Sequence, residues 1–521
     1  MIGAAKPVGG TRVTGHDGFA QVLRSEWVKF WTVRGWVLSL LVAAVLAAGI
    51  PLALSGAGGR GGLGIAVATG PGGIAVNDSF YFVHRSLAGN GAITVRVTSL
   101  ADRPLPGQGE GAIAPQPWAK AGIIIKNGTR SGSVYAAVMA TPGHGVRMQY
   151  DFTHDTAGLP GATSASSPRW LRLVRSGDTV TGYDSADGRH WAMIGSATLA
   201  GLGSTVQGGL FVASPWVSLS GNEVVTQARA RFDDLSLRGG WAAGRWGQCE
   251  VGASYLGGGT KGIARGCVQV RATGVRPVWE TESGGRFTVA GTGDISPYVS
   301  DVDILGGIIK AGSLAGLIAL IALSAVFVSS EYRRGMIRTT FAGSPRRGRV
   351  ILAKAIVIGV VAFAAGLVGS AIAVTIAGPK LRAHGWTPPI YPAVSLGTGT
   401  GIRIVVGTAV VLGLAAVFTL AVAVMLRRSV AAITVGVALF VGPWLVALAV
   451  GQSVGAFLLG VTPFAGTAVQ QGVQHYPQSS AVCLASHGCY PLAPWDGVAV
   501  LAAWTVAALA ASVYVVRRRD A

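Results

Sequence analysis

Acidic residues are scarce in this chain. There are 22 Asp and Glu among 521 residues, against 42 Lys and Arg, so only 12% of the chain is charged and the formal net charge is +20. A soluble domain carries about 25% charged residues. With half the residues hydrophobic and a mean hydropathy of +0.51, the composition excludes an ordinary soluble enzyme and describes a membrane protein. Cysteine is rarer still. Four residues are too few for a disulfide scaffold, and no Cys-x-x-Cys or Cys/His zinc spacing occurs. No Gly-x-x-x-x-Gly-Lys-Ser/Thr is present either: Gly257-Gly258-Gly259-Thr260-Lys261 has the wrong spacing, so the chain has no phosphate cradle and no cofactor site of its own.

What is present is a set of long apolar runs. Six stretches, 36–55, 305–329, 351–377, 402–426, 430–450 and 496–516, reach the roughly 20 residues a helix needs to cross a hydrocarbon core. The first begins too far into the chain, and lacks too clear a cleavage site, to be a signal peptide. Ionisable groups in the runs are nearly missing: Lys354 lies just inside the third, and Lys310, Arg403 and Asp496 stand near predicted outer ends, where side chains snorkel. That argues against a proton- or sodium-coupled carrier, which needs midplane ligands.

Charge sign orients the chain. With the N-terminus inside, segments 1–35, 330–350, 427–429 and 517–521, with Lys354, hold 17 basic and four acidic residues; 56–304 holds 21 and 17. The first distribution is the positive-inside signature, and the second is that of a translocated soluble domain. The +20 is therefore a topology signal, and no nucleic-acid partner is needed to explain it. All four cysteines fall on the predicted outer side, where disulfides persist. Their separations predict Cys249–Cys267 and Cys483–Cys489, four free thiols being the alternative.

Two segments on the inner side carry further pattern. In 17–34, Phe19, Val22, Leu23, Trp27, Phe30 and Trp31 recur at helical spacing with Asp17 as N-cap and Arg24, Ser25 and Lys29 elsewhere on the wheel, predicting an amphipathic helix in the membrane interface with its tryptophans at headgroup depth and its basic residues near anionic lipid. After the second run come Glu331-Tyr332-Arg333-Arg334-Gly335-Met336-Ile337-Arg338 and Ser344-Pro345-Arg346-Arg347, a short charged protrusion in which Glu331 is expected to pair with Arg334 or its neighbours. These residues, together with Arg24-Ser25-Glu26-Trp27-x-Lys29, Leu459-Gly460-Val461-Thr462-Pro463-Phe464-Ala465 and the six runs, resemble the membrane subunits of ABC-type exporters of the type-2 permease family. The resemblance implies a dimerising permease of a bacterial plasma membrane, as a homodimer or pseudo-symmetric dimer, driven by a separate cytoplasmic ATPase that holds ATP and magnesium. In it, Glu331, Tyr332, Arg333, Arg334, Gly335, Arg338, Arg346 and Arg347 would couple to the ATPase, and Arg24, Glu26, Trp27, Lys29 and Trp31 would form the interfacial helix.

Between the first two runs lie about 250 residues of a different character. Ile93-Thr94-Val95-Arg96-Val97, Ile123–Ile125, Val134–Met139 and Arg172-Leu173-Val174, with turns at Ser176-Gly177-Asp178 and Asp187-Gly188, predict short antiparallel strands. Residues 75–240 resemble concanavalin- and laminin-G-like jelly rolls, through Trp118-Ala119-Lys120-Ala121-Gly122-Ile123, Trp170-Leu171-Arg172-Leu173-Val174-Arg175-Ser176-Gly177, Tyr183-Asp184-Ser185-Ala186-Asp187-Gly188-Arg189-His190-Trp191, Gly208-Gly209-Leu210-Phe211-Val212 and Ala230-Arg231-Phe232-Asp233-Asp234-Leu235. The fold class expected is thus a polytopic α-helical membrane protein of six spans with an all-β sandwich inserted between the first two, and 241–304 as a disulfide-containing extension. A glycan or cell-wall ligand would suit the sandwich. Asp184, Asp187, Asp233 and Asp234 are expected to be structural, and Trp118, Trp170 and Trp191 to fill the core. The leading function is the permease subunit; a membrane-anchored glycan-binding or sensor protein and a surface glycosidase are the alternatives.

Overall fold

The structure, a computed structural model, describes residues 18–57, 67–104, 116–219, 222–252, 267, 279–282, 285–300, 303–333, 335–336, 346–450, 452–473, 476–479 and 492–519. Uninterrupted apolar sequence becomes helix: α1 (Phe19–Thr32), α2 (Arg34–Ala57), α3 (Ile304–Arg333), α4 (Arg347–Ala383), α5 (Gly399–Leu426), α6 (Ser429–Phe440), α7 (Gly442–Ala449), α8 (Gln452–Val461) and α9 (Pro494–Arg519). Among the described residues α2, α3, α4, α5 and α9 are long and apolar enough to cross a membrane.

The run at 430–450, expected as one span, is instead the pair α6 and α7, bent by 41°, and a sixth crossing exists only if the pair is one span. The break falls at Val441, just before Gly442-Pro443. Proline has no N–H to continue the ladder, and its ring crowds the preceding turn. A short helix, α8, and the 3-10 helix Pro463–Gln470 follow, in the region where short half-buried helices are expected before the last span.

The bundle core draws on α3, α4 and α5, with α2 packed against α3 and α4. Gly312 and Gly316 put α3 against α2: a Cβ at either would stand 2.8 Å from a backbone carbonyl, of Ala47 and Ala43 respectively. The Gly-x-x-x-Gly stripe is therefore a seam within the chain, where small residues let backbones approach. Gly312→Val should cost about 1–3 kcal/mol through overpacking, read as a lowered thermal midpoint of the detergent-solubilised protein; an unchanged midpoint would refute the seam.

Strands between residues 80 and 291 form a large antiparallel sheet, thirteen-stranded among the described residues. Its organiser is the 25-residue strand Phe80–Pro104. The first half pairs with Thr205–Ala213 and Gly247–Val251, the second half with Arg169–Ser176 and Thr226–Trp241. One strand thus enters two layers, which close on a core that includes Val95, Ile123, Val138, Leu171, Leu210 and Phe232. The arrangement is sandwich-like.

Burial patterns show which layer is covered twice. Arg169–Ser176 alternates buried and half-buried residues, as a strand with one wet face must. Lys120–Lys126 and Tyr135–Thr141 are buried throughout, because a three-stranded sheet of Ala68–Thr69, Ala75–Asp78 and Ile295–Pro297 lies over their second face. Two buried ion pairs fasten that cover: Lys126 to Asp78 at 2.6 Å, and Lys120 to Asp294. Asp78 also accepts from the Gly132 N–H, and Lys120 donates to the Ile295 carbonyl at 2.6 Å. Burial pushes the Asp78 carboxyl above its ordinary range, against the opposing pull of Lys126.

The β domain joins the bundle through Asp303, which caps α3 by accepting from Gly306 N–H (2.9 Å) and holds the Gly472 N–H (2.7 Å). Gln478 donates to the Phe152 carbonyl of the domain at 3.1 Å.

Candidate functional site

At the far end of α3, 30 residues or about 45 Å along the helix, the molecule buries a group of charges. It is assembled by α1, α3 and α4. α1 begins after Gly18, whose carbonyl accepts from the Gln21 N–H; no side chain caps it, and Asp17, the expected N-cap, lies outside the described residues. Only Val33 separates α1 from α2. Phe30 is fully buried against Phe327 and Trp36, ring centroids 6.0 and 6.2 Å away. Glu26 stands one turn before Phe30 and faces the same way, because residues four apart share a helix face. Trp27 and Trp31, expected with Phe30 on one apolar face, are turned outward and are 39% and 47% exposed.

Glu26 meets Lys354 of α4, which donates to it at 2.6 Å and to Glu331 of α3 at 2.8 Å. Lys29 completes the group, donating to the same Glu331 oxygen and lying 3.8 Å from Glu26. Two carboxylates and two ammonium groups balance. The side chains of Lys354, Glu331 and Glu26 are 2%, 1% and 4% exposed. The Lys354 Nζ also lies 5.0 Å from the Phe327 ring centre, a cation–π contact inside the bundle. The second Glu331 oxygen, Oε2, has no hydrogen-bond partner among the described residues.

Burial alone would pull the Lys29 ammonium down; the Glu331 hydrogen bond and the attraction of both carboxylates outweigh it and leave the group above its ordinary 10.5. A lysine raised on folding contributes stability that is complete below 10.5 and is lost only as pH rises through its folded value. The Lys29 part of the cluster is therefore insensitive to pH across the neutral range.

The structure thus brings together the two motifs singled out in the sequence, and corrects how they work. Glu331, expected to pair with Arg334 on an exposed protrusion, is buried and pairs with Lys29 and Lys354. Glu26, expected on the interfacial helix surface, is buried as well. The spans are not free of internal charge: Lys354 is the hub of the cluster, and Lys310, expected to snorkel, is buried in α3. Tyr332 is half-buried and lies 5.3 Å from the Arg427 guanidinium, and Gly335, at φ +68°, follows α3 in the left-handed conformation that ends helices. Arg24 and Arg333 are exposed, Arg346 is the exposed N-cap of α4, and Arg347 lies in its first turn. Arg334 and Arg338 lie outside the described residues. The basic ends of α3, α4, α5 and α9 gather here: besides the Arg427 contact, a Cβ at Gly348 would touch the Arg517 side chain.

The sequence held a signal for the hub that charge counting passed over. Lys354 falls in line with Val350, Ile351, Val357, Ile358 and Val361, all buried on α4. An ionisable residue in the register of a buried face calls for a buried partner.

In the β domain the carboxylates are committed to structure. Asp233 grips Arg96 in a two-pronged pair at 2.6 and 2.7 Å. Asp184 accepts from the Leu159 N–H. Asp187 closes the Gly188 turn by accepting from the Arg189 and His190 N–H groups. Of the three tryptophans expected in the core, only Trp118 is buried, stacked on His144 at 3.9 Å. Trp170 and Trp191 are half-buried, with Arg96 and Arg172 over their rings at 5.4 and 3.7 Å. The Cys249–Cys267 disulfide forms as expected; Cys483 and Cys489 lie outside the described residues. His84 lies 3.9 Å from Cys267 and completes a metal-like trio with the two cysteines, but the disulfide consumes both sulfurs.

No family model matches the chain, and no curated protein does. Among solved structures it is similar to a functionally unknown protein from Saccharomyces cerevisiae, at 15% identity over 30% of this chain and 74% of that one, with a TM-score of 0.17. It is similar to SCP-B, a member of the eqolisin family of peptidases, at 8% identity over 42% of this chain and 98% of that one, with a TM-score of 0.23. Peanut lectin gives 9% identity over 33% of this chain and 89% of that one, with a TM-score of 0.18. At such values the likenesses carry no argument about activity.

Proposed function

We propose that this chain is the membrane-spanning permease subunit of an ATP-binding-cassette exporter of the type-2 family. One observation carries the reading. The two motifs behind the resemblance, some 300 residues apart in sequence, meet in one buried ion cluster, at the end of the bundle where the basic segments gather. A helix that only anchored the chain would have no reason to be locked by charge to Glu331 of α3 and Lys354 of α4, which flank the second loop between spans. A helix that must move as one body with that loop does.

In this reading the basic end faces the cytoplasm, by the positive-inside rule, and the outward-turned Trp27 and Trp31 sit at headgroup depth. The exposed Arg333 and Arg346 present cationic side chains to a separate ATPase carrying ATP and magnesium. Six crossings follow with α6 and α7 taken as one broken span. The sandwich-like domain, with a concanavalin- or laminin-G-like arrangement, stands outside, and the permease acts as a dimer.

The test is co-purification of the chain with the ATPase encoded beside it, followed by reversal of Arg333, Arg334 and Arg338 to glutamate. The expected result is a fall in ATPase association of about tenfold or more, since reversing interface charges adds repulsion to lost attraction. Unchanged association and export would sink the coupling role, and a surface receptor that merely uses its helices as anchors would co-purify with no ATPase at all.

A further inference from the structure

In the β domain, His84, Cys249 and Cys267 bring a ring nitrogen and two sulfurs within 4.8 Å of one another. The strand Phe80–Pro104 carries His84 and the strand Gly247–Val251 carries Cys249, in a register that sets Phe82 opposite Cys249 and His84 opposite Gly247. Side chains two apart on a strand share a face, so Phe82, His84 and Cys249 point the same way. The imidazole stacks on Phe82 at 4.9 Å and lies over Gly247, where a Cβ would stand 2.7 Å from the ring. Only glycine leaves the ring that seat.

Hydrogen bonding decides which ring nitrogen is free. Gln207, on Thr205–Ala213, gives its amide Nε2 to Ser86 Oγ at 2.9 Å and so turns its Oε1 to His84 Nδ1, 2.8 Å away. An amide oxygen only accepts, so Nδ1 carries the proton and Nε2 keeps its lone pair. Nε2 lies 3.9 Å from Cys267 Sγ, and a disulfide sulfur has no proton to offer it. A histidine with its other nitrogen held by an acceptor is arranged as metal-ligating histidines are.

We infer that His84, Cys249 and Cys267 form a zinc site that opens when the Cys249–Cys267 disulfide is reduced. A dithiol supplies two electrons and two protons: the S–S bond breaks, the dithiol closes to its own disulfide, and Cys249 and Cys267 become thiols. Zinc then takes both sulfurs as thiolates, releases the two protons and binds His84 Nε2 as its third ligand, leaving the fourth position for water. Charge selects the metal. Two thiolates and a neutral imidazole cancel a divalent ion, whereas copper(I) would leave a net negative charge beside Phe80, Phe82 and Ile295, where charge is costly. Cys249 is 2% exposed, but Cys267 is exposed and stands outside the strands. A reductant reaches the pair from that side, and Cys267 can part from Cys249 to give each sulfur its zinc bond of about 2.3 Å. The inference is independent of the ATPase reading.

The test uses the full chain in detergent with Cys483→Ser and Cys489→Ser, which leaves this pair alone of the four cysteines. It is reduced anaerobically with a phosphine, which competes for metal less than a dithiol would, and titrated with cobalt(II). One cobalt per chain should bind, with thiolate-to-cobalt charge-transfer absorption that zinc abolishes, and none should bind to the unreduced chain. Gln207→Ala should weaken cobalt binding by about tenfold, and Gln207→Glu, which still accepts from the Nδ1–H, should restore it. His84→Ala should weaken binding by more than Gln207→Ala does and shift the visible bands; should that variant fail to fold, the Gln207 pair carries the test. No cobalt bound after reduction, or His84→Ala matching the parent in spectrum and affinity, would overturn the site. Equal affinity for Gln207→Ala and the parent would overturn the positioning of His84 by Gln207.

Discussion

Lys354→Met removes the shared donor of Glu26 and Glu331 and leaves two nearly dry carboxylates with Lys29 alone to balance them. The expected loss is about 3–5 kcal/mol, the cost of breaking a buried ion pair from one side, and for a protein of ordinary marginal stability that threatens folding outright. The first consequence should be local. α1 is held to the bundle chiefly by Phe30 and this cluster, so it should detach, exposing the Lys29–Arg34 connection to protease at temperatures where the remaining helices stay folded. A second variant separates stability from function. Glu26→Gln, Glu331→Gln and Lys354→Met together remove every unpaired buried charge except Lys29, which is already part-exposed. Neutral replacement of buried ion sets is often tolerated, so the triple variant should melt within about 1–2 kcal/mol of wild type by the same reasoning; if the chain is the exporter subunit proposed above, it should also show weakened ATP-driven export. A single Lys354→Met variant that melts like wild type would show that the cluster contributes nothing.

Lys126→Met is expected to be equally severe, in the other half of the molecule. Asp78 would keep its Gly132 hydrogen bond but lose the one cation it pairs with among the described residues, at a site where both side chains are wholly buried, for a cost of about 3–5 kcal/mol. The small sheet of Ala68–Thr69, Ala75–Asp78 and Ile295–Pro297 would lose one of its two ionic fastenings and should lift from the large one. Rapid proteolysis of the domain, with loss of near-ultraviolet ellipticity, is the readout. Asp78→Asn combined with Lys126→Met removes both charges and should recover most of the loss. If the double variant is no more stable than Lys126→Met alone, packing and not charge fastens the cover.

Much of this architecture was legible in composition and pattern. Hydropathy located the apolar segments because a helix that exposes its side chains to lipid must be apolar along its whole length, a requirement visible in any window of sequence. Alternation located the strands around Ile93–Val97 and Arg172–Val174 because one of their faces stays wet. The bend within the run at 430–450 was not legible, because hydropathy averages over the break before Gly442-Pro443, whereas the backbone cannot. The segments around Glu26 and Glu331 were legible as motifs, but the buried pairing of these two residues was not. On a helical wheel Glu26 is a polar residue beside tryptophans, and nothing nearby in sequence reveals that Lys354 waits for it from more than 300 residues away.

Hydropathy, the sign and placement of charge, and the separation of the cysteines were enough for an apolar helical bundle, a polar β insertion between its first two apolar runs and the Cys249–Cys267 pairing. These depend on how residues interact with solvent and with near neighbours, and that information is carried locally. Tertiary structure alone decided which charges are buried together, how α1 is turned, which sheet layer is covered on both faces and that His84 meets the two cysteines. Each of those depends on the low dielectric and exclusion of water that arise only when distant segments close on one another; before they close, Lys354 and Glu26 are merely two solvated ions.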